Sequence, residues 1–390
     1  MKKYISRENI IFLLLSSITL LFLFRYTVLS KSLKWGTWSY GENLISYPDK
    51  FIRRGLLGEI VLFISNENPA FKTLNFIVFI NCLLLLFLIF LIFRKYEIHL
   101  RQLNVYLLSS FGLLYLIYHG NSYNRKEIFA INFFLIFILL LKNNRNEINL
   151  GLKIYLLTSL TFLALIHEGT LLIVLPFYYL ILKKIDIRFS YIYSIFGLFL
   201  IGFLITQQGN LQDVEKMWNE LSDFDRQQIN SDLESSAIYA LTYSFEKQLI
   251  GQSGLNKLND GTLNHWLSYL FYFGIYFFVN HLGCNLKKLF EFLNSIKAFP
   301  VELVFCSLLF ILGGGDWGRY FVFFIYMYYF YIIYVCDLEN FKINYLAKSR
   351  HLILFIIYSF FTIMPMASFQ DINLLNKINN TFQQIIDLIS

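Results

Sequence analysis

Charge is scarce in this chain: Asp, Glu, Lys and Arg make up 15% of its 390 residues, against about a quarter in water-soluble proteins. With 57% of the residues apolar and 19% aromatic, that shortage argues against a soluble domain. Cysteine is sparse too. Cys82, Cys284, Cys306 and Cys336 fall inside apolar runs or beside basic loops and share no metal-ligand spacing, which argues against a disulfide framework and leaves no expected metal site. The phosphate-cradling Gly-x-x-x-x-Gly-Lys-Ser/Thr loop is missing, and no glycine-rich turn sits between a strand and a helix, so a nucleotide fold has no footing. No internal repeat is visible, which weakens an inverted-repeat transporter. No polar stretch is long enough for a separate catalytic domain, and no cofactor is implied.

What the sequence has is apolar runs along its whole length, at 9–29, 71–93, 103–118, 128–141, 154–182, 189–206, 266–282, 298–312, 320–336 and 352–367. They predict an all-α, polytopic membrane helix bundle, a single membrane domain over 1–390. The first run lacks a small-residue cleavage site and reads as a span rather than a signal peptide. The run 154–182 is too long for one ~30 Å hydrocarbon core and carries His167 and Glu168 at its middle. Charge resolves it. If the chain turns at His167-Glu168-Gly169, triplets of Lys and Arg at the N-terminus, 94–101, 142–153, 183–188, 287–297 and 342–350 all fall on one side. Positive loops face the cytoplasm, so the expectation is about eleven spans, the N-terminus inside and a multi-pass protein of a bacterial inner membrane.

The outer segments then differ from the short basic inner connectors. They comprise a first outer loop at 30–70 with an interfacial helix, a long polar loop at 207–265 and an amphipathic tail at 368–390. In the first, Ile52, Leu56, Leu57, Ile60, Phe63 and Ile64 form one apolar helical face from Phe51 onward, with Arg53, Arg54 and Glu59 elsewhere. Adjacent arginines can grip a phosphate with paired planar donors, and Asp49 beside them is a candidate base; the plainer reading is a helix meeting anionic lipid. Arg125 and Lys126 put positive charge on a tight outer loop against the orientation rule, pointing to phosphate or sugar, or to a pair with Glu127. The His167-Glu168 turn lies below the outer surface, where an ionisable pair suggests a catalytic base, or else a hydrogen bond closing the turn. Gly313-Gly314-Gly315-Asp316-Trp317-Gly318-Arg319 combines close backbone approach with an acid, an aromatic for sugar stacking and a guanidinium for phosphate; the alternative is an Asp316–Arg319 pair locking a turn. The long loop, with amphipathic helices expected at 214–221 and 233–249, carries too many acids for a nucleic-acid surface and suits a lid.

Outer-face arginines, acids and aromatics around lipid-accessible spans suit a lipid-linked donor. In architecture the chain resembles bacterial polysaccharide polymerases of the O-antigen polymerase type (Wzy-like) and the wider GT-C class of polytopic glycosyltransferases. That resemblance implies transfer or polymerisation of glycan from a polyprenyl-(pyro)phosphate-linked donor, in the bilayer and alongside other polysaccharide-assembly proteins. Arginines would hold the departing phosphate while a carboxylate or His activates the acceptor hydroxyl. In GT-C transferases a carboxylate of the first outer loop is the base, and Asp49 or Glu42 occupies that region here; in the polymerase branch the basic residues dominate, favouring Arg53, Arg54, Arg125 and Arg319. The competing class is a transporter or flippase of lipid-linked sugars.

Overall fold

The computed structural model describes residues 37–66, 69–96, 125–143, 148–229 and 232–243, with single residues between 16 and 29 and between 323 and 335. The expectations for 103–118, 244–312 and 352–390, and the site assignments of Asp316, Trp317 and Arg319, lie outside the described residues.

Every regular element among the described residues is helical: α1 (Thr37–Asn43), α2 (Leu56–Ser65), α3 (Ala70–Lys95), α4 (Glu127–Asn143), α5 (Leu150–Ile166), α6 (Glu168–Ile185), α7 (Ile187–Thr206), α8 (Leu211–Glu220) and α9 (Asp223–Ile229), then a 3-10 turn at Tyr239–Thr242. Two of these, α3 with 26 residues and α7 with 20, are long and apolar enough to cross a membrane. Their outward faces are as apolar as their packed ones. On α3, Leu74, Val78, Leu85 and Ile89 are buried while Phe76, Leu83 and Phe87 are exposed; on α7, Ile195, Leu198 and Phe199 are exposed. A helix that is oily all round suits hydrocarbon or a deep core, not a water-facing surface.

The long apolar run breaks where its length required. Helices α5 and α6 each span ~26 Å at the standard helical rise, and between them stands one extended residue, His167, at φ −165°. Lys153, in the first turn of α5, pairs with Asp186, just past the end of α6, at 3.1 Å. In one continuous rod those residues would stand ~50 Å apart, so the chain folds back on itself at His167. Asp186 turns it again: its carboxylate caps α7 by accepting from Phe189 N–H at 2.9 Å. Here α6 and α7 pack closely, Tyr178 stacking on Tyr193 with ring centroids 5.4 Å apart. A Cβ on Gly197 would fall 2.5 Å from a Leu175 methyl, so a larger residue there would have to displace the Leu175 side chain.

Antiparallel contact continues between α4 and α5, where Phe129 and Phe133 both meet Phe162 and Tyr155 donates to the Phe133 carbonyl at 2.8 Å. Helices α3 and α4 run side by side. Asn132 donates to the Asn81 side chain at 2.7 Å near their middles, and Tyr96 donates to the Ile138 carbonyl at 3.1 Å near their ends. These pairings gather Arg94, Lys95, Lys153, Lys183, Lys184 and Arg188 at one end of the bundle. The opposite end collects α1, α2, the start of α4, the His167 turn and the end of α7.

Two local expectations are corrected. The helix of the first outer loop begins at Leu56, not Phe51, because Arg54 sits in the left-handed region at φ 67°, which no right-handed helix passes through. Within 232–243 the expected helix gives way to turns. Tyr239 N–H donates to the Ser236 hydroxyl at 3.2 Å, and the Ser235 hydroxyl donates to the Asp232 carbonyl at 3.1 Å, local bonds that compete with a helical ladder.

Candidate functional site

The segment between α1 and α2 folds across the bundle end and is held there by backbone. A Cβ on Gly58 would lie 2.0 Å from the Ile45 carbonyl oxygen, so only glycine allows α2 to lie on the strand-like stretch before it. Arg53 N–H donates to the Gln207 carbonyl at 3.1 Å, tying this loop to the end of α7. The consequence is that Arg53 and Arg54, adjacent in sequence, arrive together over the His167 turn.

There Arg54 makes a bidentate grip on Glu168. Its Nε donates to both carboxylate oxygens at 2.9 and 3.0 Å, and its Nη2 to Oε1 at 2.7 Å. Its remaining arm, Nη1, donates to Glu42 Oε1 at 3.2 Å. Arg54 thus bridges two carboxylates, one from α1 and one from the first residue of α6. Arg53 Nη1 stands 3.6 Å from Glu168 Oε1. Its side chain is 2% exposed, and Nε and Nη2 are buried without a hydrogen-bond partner. A buried polar group with unmet donors is uncommon and costs about 1–3 kcal/mol, more when charged.

His167 is fixed from both sides. Its Nδ1 accepts from Gly169 N–H at 3.0 Å, making the imidazole the N-cap of α6. Because Nδ1 is an acceptor, the ring proton is on Nε2, which faces Glu42 Oε1 at 3.1 Å. Both donors that reach Glu42, from Arg54 and His167, land on Oε1, and Oε2 accepts from neither. Burial alone would push the Glu42 carboxyl up; the His167 hydrogen bond, with Arg54 and Lys126 nearby, outweighs it and holds Glu42 well below the usual carboxylate range.

Lys126 is 3% exposed and donates to backbone, reaching the Glu42 carbonyl at 2.8 Å, the Ile166 carbonyl at 3.2 Å and the Arg54 carbonyl at 3.5 Å. One ammonium thereby satisfies carbonyls from three chain segments at the ends of α1 and α5. Burial pushes it down to about 8 even with Glu42 pulling the other way. Arg125, next in the chain, is half-buried with Nη1 unpartnered. Within this set, four cations (Arg53, Arg54, Arg125 and Lys126) stand against three carboxylates (Glu42, Glu127 and Glu168).

Asp49 is not part of the cluster. It is exposed and pairs with Lys216 of α8, beside a second exposed pair, Lys50–Asp213 at 2.7 Å. The carboxylate of the first outer loop that the cluster uses is Glu42. Composition gives little notice of it, since Glu42 sits in a seven-residue helix without a flanking base; an acid between Tyr40 and Leu44, both fully buried, is the one signal. Asp225 was not singled out from the sequence at all. Its carboxylate, 2% exposed, accepts from Ala70 and Phe71 N–H at 2.9 and 3.0 Å and from the Tyr40 hydroxyl at 2.8 Å, so α9 caps the start of α3 and anchors α1. The long polar loop is thus clamped onto the first one.

Chemically, the site offers a carboxylate with one uncommitted oxygen, a buried guanidinium with two open donors, and an ion network that fixes both. Among the described residues no group of three His, Cys, Asp or Glu side chains could hold a metal ion. Comparison with protein-family models, curated proteins and solved structures finds no match to this chain, so its function is read from the geometry of this cluster.

Proposed function

We propose that this protein is a multi-pass enzyme of the bacterial cytoplasmic membrane that transfers or polymerises glycan from a polyprenyl-(pyro)phosphate donor on the extracytoplasmic face. About eleven spans would form one membrane domain with a cytoplasmic N-terminus, the basic bundle end inward and the ion cluster outward, as the positive-inside rule asks. The observation that carries the reading is Arg53: a guanidinium buried at the bundle end with Nε and Nη2 unpartnered. Such a group is relieved by an oxyanion, because the planar guanidinium presents paired donors that match two oxygens of a phosphate or carboxylate. A phosphate at this depth, with an apolar tail, is what a polyprenyl carrier brings.

In this reaction the acceptor hydroxyl oxygen attacks the anomeric carbon of the donor sugar while the bond from that carbon to the phosphate oxygen breaks. The hydroxyl proton passes to Glu42 Oε2, and the electron pair leaves on the phosphate, whose new charge is met by Arg53. Arg54 and Glu168 hold the two groups in register, and Lys126 pins the backbone beneath them. A donor that meets charge where it develops is worth on the order of 3–4 kcal/mol.

Deleting the gene and measuring surface-glycan length tests the reading. Loss of long chains, restored by the wild type but not by Glu42→Gln or Arg53→Ala at normal membrane levels, is the expected result. Unchanged glycan length and amount in the deletion strain would rule it out.

A further inference from the structure

The His167 imidazole has two neighbours and two jobs, and they pull on opposite nitrogens. Gly169 N–H occupies Nδ1 at 3.0 Å, and Glu42 Oε1 takes Nε2 at 3.1 Å. The first contact selects the tautomer required for the second: with Nδ1 committed as an acceptor to a helix N-terminus, the ring carries its proton on Nε2 and must donate to Glu42. The ring is 2% exposed and wedged between α5 and α6, so it has no freedom to turn. A backbone amide of the membrane hairpin thereby sets the hydrogen bonding of a carboxylate on α1, well over a hundred residues earlier.

We infer that His167 is a positioning residue which, locked as the neutral Nε2–H tautomer by Gly169, holds the Glu42 carboxylate ionised and turned so that Oε2 alone remains to receive a proton. The inference deepens the transferase reading and rests on it for what that proton is. Two donors on one oxygen restrain the carboxylate more than either does alone, since Arg54 Nη1 and His167 Nε2 approach Oε1 from different elements. Each also stabilises the charged form over the neutral one. The charged groups around Glu42 are Arg54 at 3.2 Å, Lys126 on its main-chain carbonyl, and, through Arg54, Glu168 with Arg53 against it. Of these only His167 connects Glu42 to the tip of the hairpin without carrying a fixed charge.

Two substitutions separate the jobs. Asn at 167 keeps a side-chain acceptor for Gly169 N–H, an accepted helix cap, but is too short to donate to Glu42. Gln extends a donor toward Glu42 and gives up the cap. The purified protein in lipid nanodiscs is titrated by infrared difference spectroscopy, reading the protonated-carboxyl band that Glu42→Gln removes, and the acid limb of glycan transfer is measured in membranes. His167→Asn should raise the Glu42 midpoint by about one to two pH units, a tenfold to hundredfold easier protonation, as loss of one charge-assisted hydrogen bond implies. The acid limb of transfer should move up with it, and His167→Gln should return both part of the way. An unmoved Glu42 midpoint in His167→Asn overturns the inference whatever transfer does, and an equal shift in both variants overturns it too, assigning the effect to loosening of the turn. A shifted midpoint in a protein that transfers no glycan leaves the setting of Glu42 standing and removes the transferase reading instead.

Discussion

The two ends of the helix bundle are both rich in charge and use it in opposite ways. At the basic end Lys183 and Lys184 close α6, and an ion pair between the helix ends, Lys153–Asp186, is part-exposed at 34% and 26%. At the other end Arg53, Glu42, Glu168, His167 and Lys126 are each less than a tenth exposed and are bonded to one another or to main-chain carbonyls. The first pattern is what orientation across a bilayer needs: positives of which Arg94, Lys183, Lys184 and Arg188 are exposed. The second is expensive to bury and is tolerated only when each charge is answered. Among the described residues Arg53 Nε and Nη2, with Arg125 Nη1, stay buried without a partner, and Arg53 is the more deeply buried of the two side chains, which is why it points to a ligand rather than to stability.

The contrast breaks most readily at Glu168. Replacing it with Ala leaves Arg54 without its bidentate partner and Arg53 without the carboxylate beside it, and unpairing a buried network of this kind costs about 3–5 kcal/mol. Thermal unfolding in detergent, followed through the helical signal, should fall by well over five degrees. The Glu168→Ala, Arg54→Ala double variant should lose much less than the sum of the two single losses, because the pair acts as a unit. An additive double variant would mean the cluster is a set of independent contacts, no different in kind from the basic end.

The basic end was legible in the sequence and the buried end only partly so, for reasons of range. Apolar length and Lys/Arg spacing are local signals, so the break at His167 and the common end of 94–95, 153 and 183–188 follow from counting. The residues Arg53, Arg54, Lys126, His167 and Glu168 could be singled out one by one because each is charged where the surroundings are oily. What periodicity cannot give is which partner each takes. Asp49 lies nearer to Arg53 in sequence than Glu42 does, yet it turns out to Lys216, because Arg54 at φ 67° reverses the chain and sends the guanidinium back over α1. Lys126 looked like a phosphate ligand and instead serves three carbonyls, a role no side-chain motif announces. Both departures come from backbone turns, which the hydrophobic pattern does not encode.

A smaller effect sharpens the comparison at the rim of the buried end. Asp225 links the long polar loop to the first turn of α3 through Ala70 and Phe71 N–H and to α1 through Tyr40. Asp225→Asn keeps the shape but turns one acceptor into a donor, facing N–H groups it can no longer satisfy. A lost cap with an unmet amide costs about 1–2 kcal/mol. Amide exchange at residues 70–73 should speed up by roughly tenfold, a factor that corresponds to about 1.4 kcal/mol, while the ends of α5 and α6 stay protected. Faster exchange spread evenly over the whole bundle would show that the clamp is global and not a rim contact.

The smallest effects belong to exposed charges at both ends, and their near-equality is the sharpest form of the comparison. Lys153→Ala at the basic end and Asp49→Asn at the rim of the buried end each remove one partner of a pair at least partly open to solvent, and exposed pairs are worth about 0–1 kcal/mol. Both variants should therefore unfold within a few degrees of the wild type, and the difference should shrink further in high salt, since screening acts on exposed pairs first. Asp49→Asn carries a second consequence. If the proton acceptor is Glu42, Asp49→Asn should support surface glycan of normal length while Glu42→Gln does not, although the two acids share one loop and one type of chemistry. Glycan lost in Asp49→Asn and retained in Glu42→Gln would move the base to the exposed side of the loop, and the buried end would then be a structural network whose unmet Arg53 donors need another explanation.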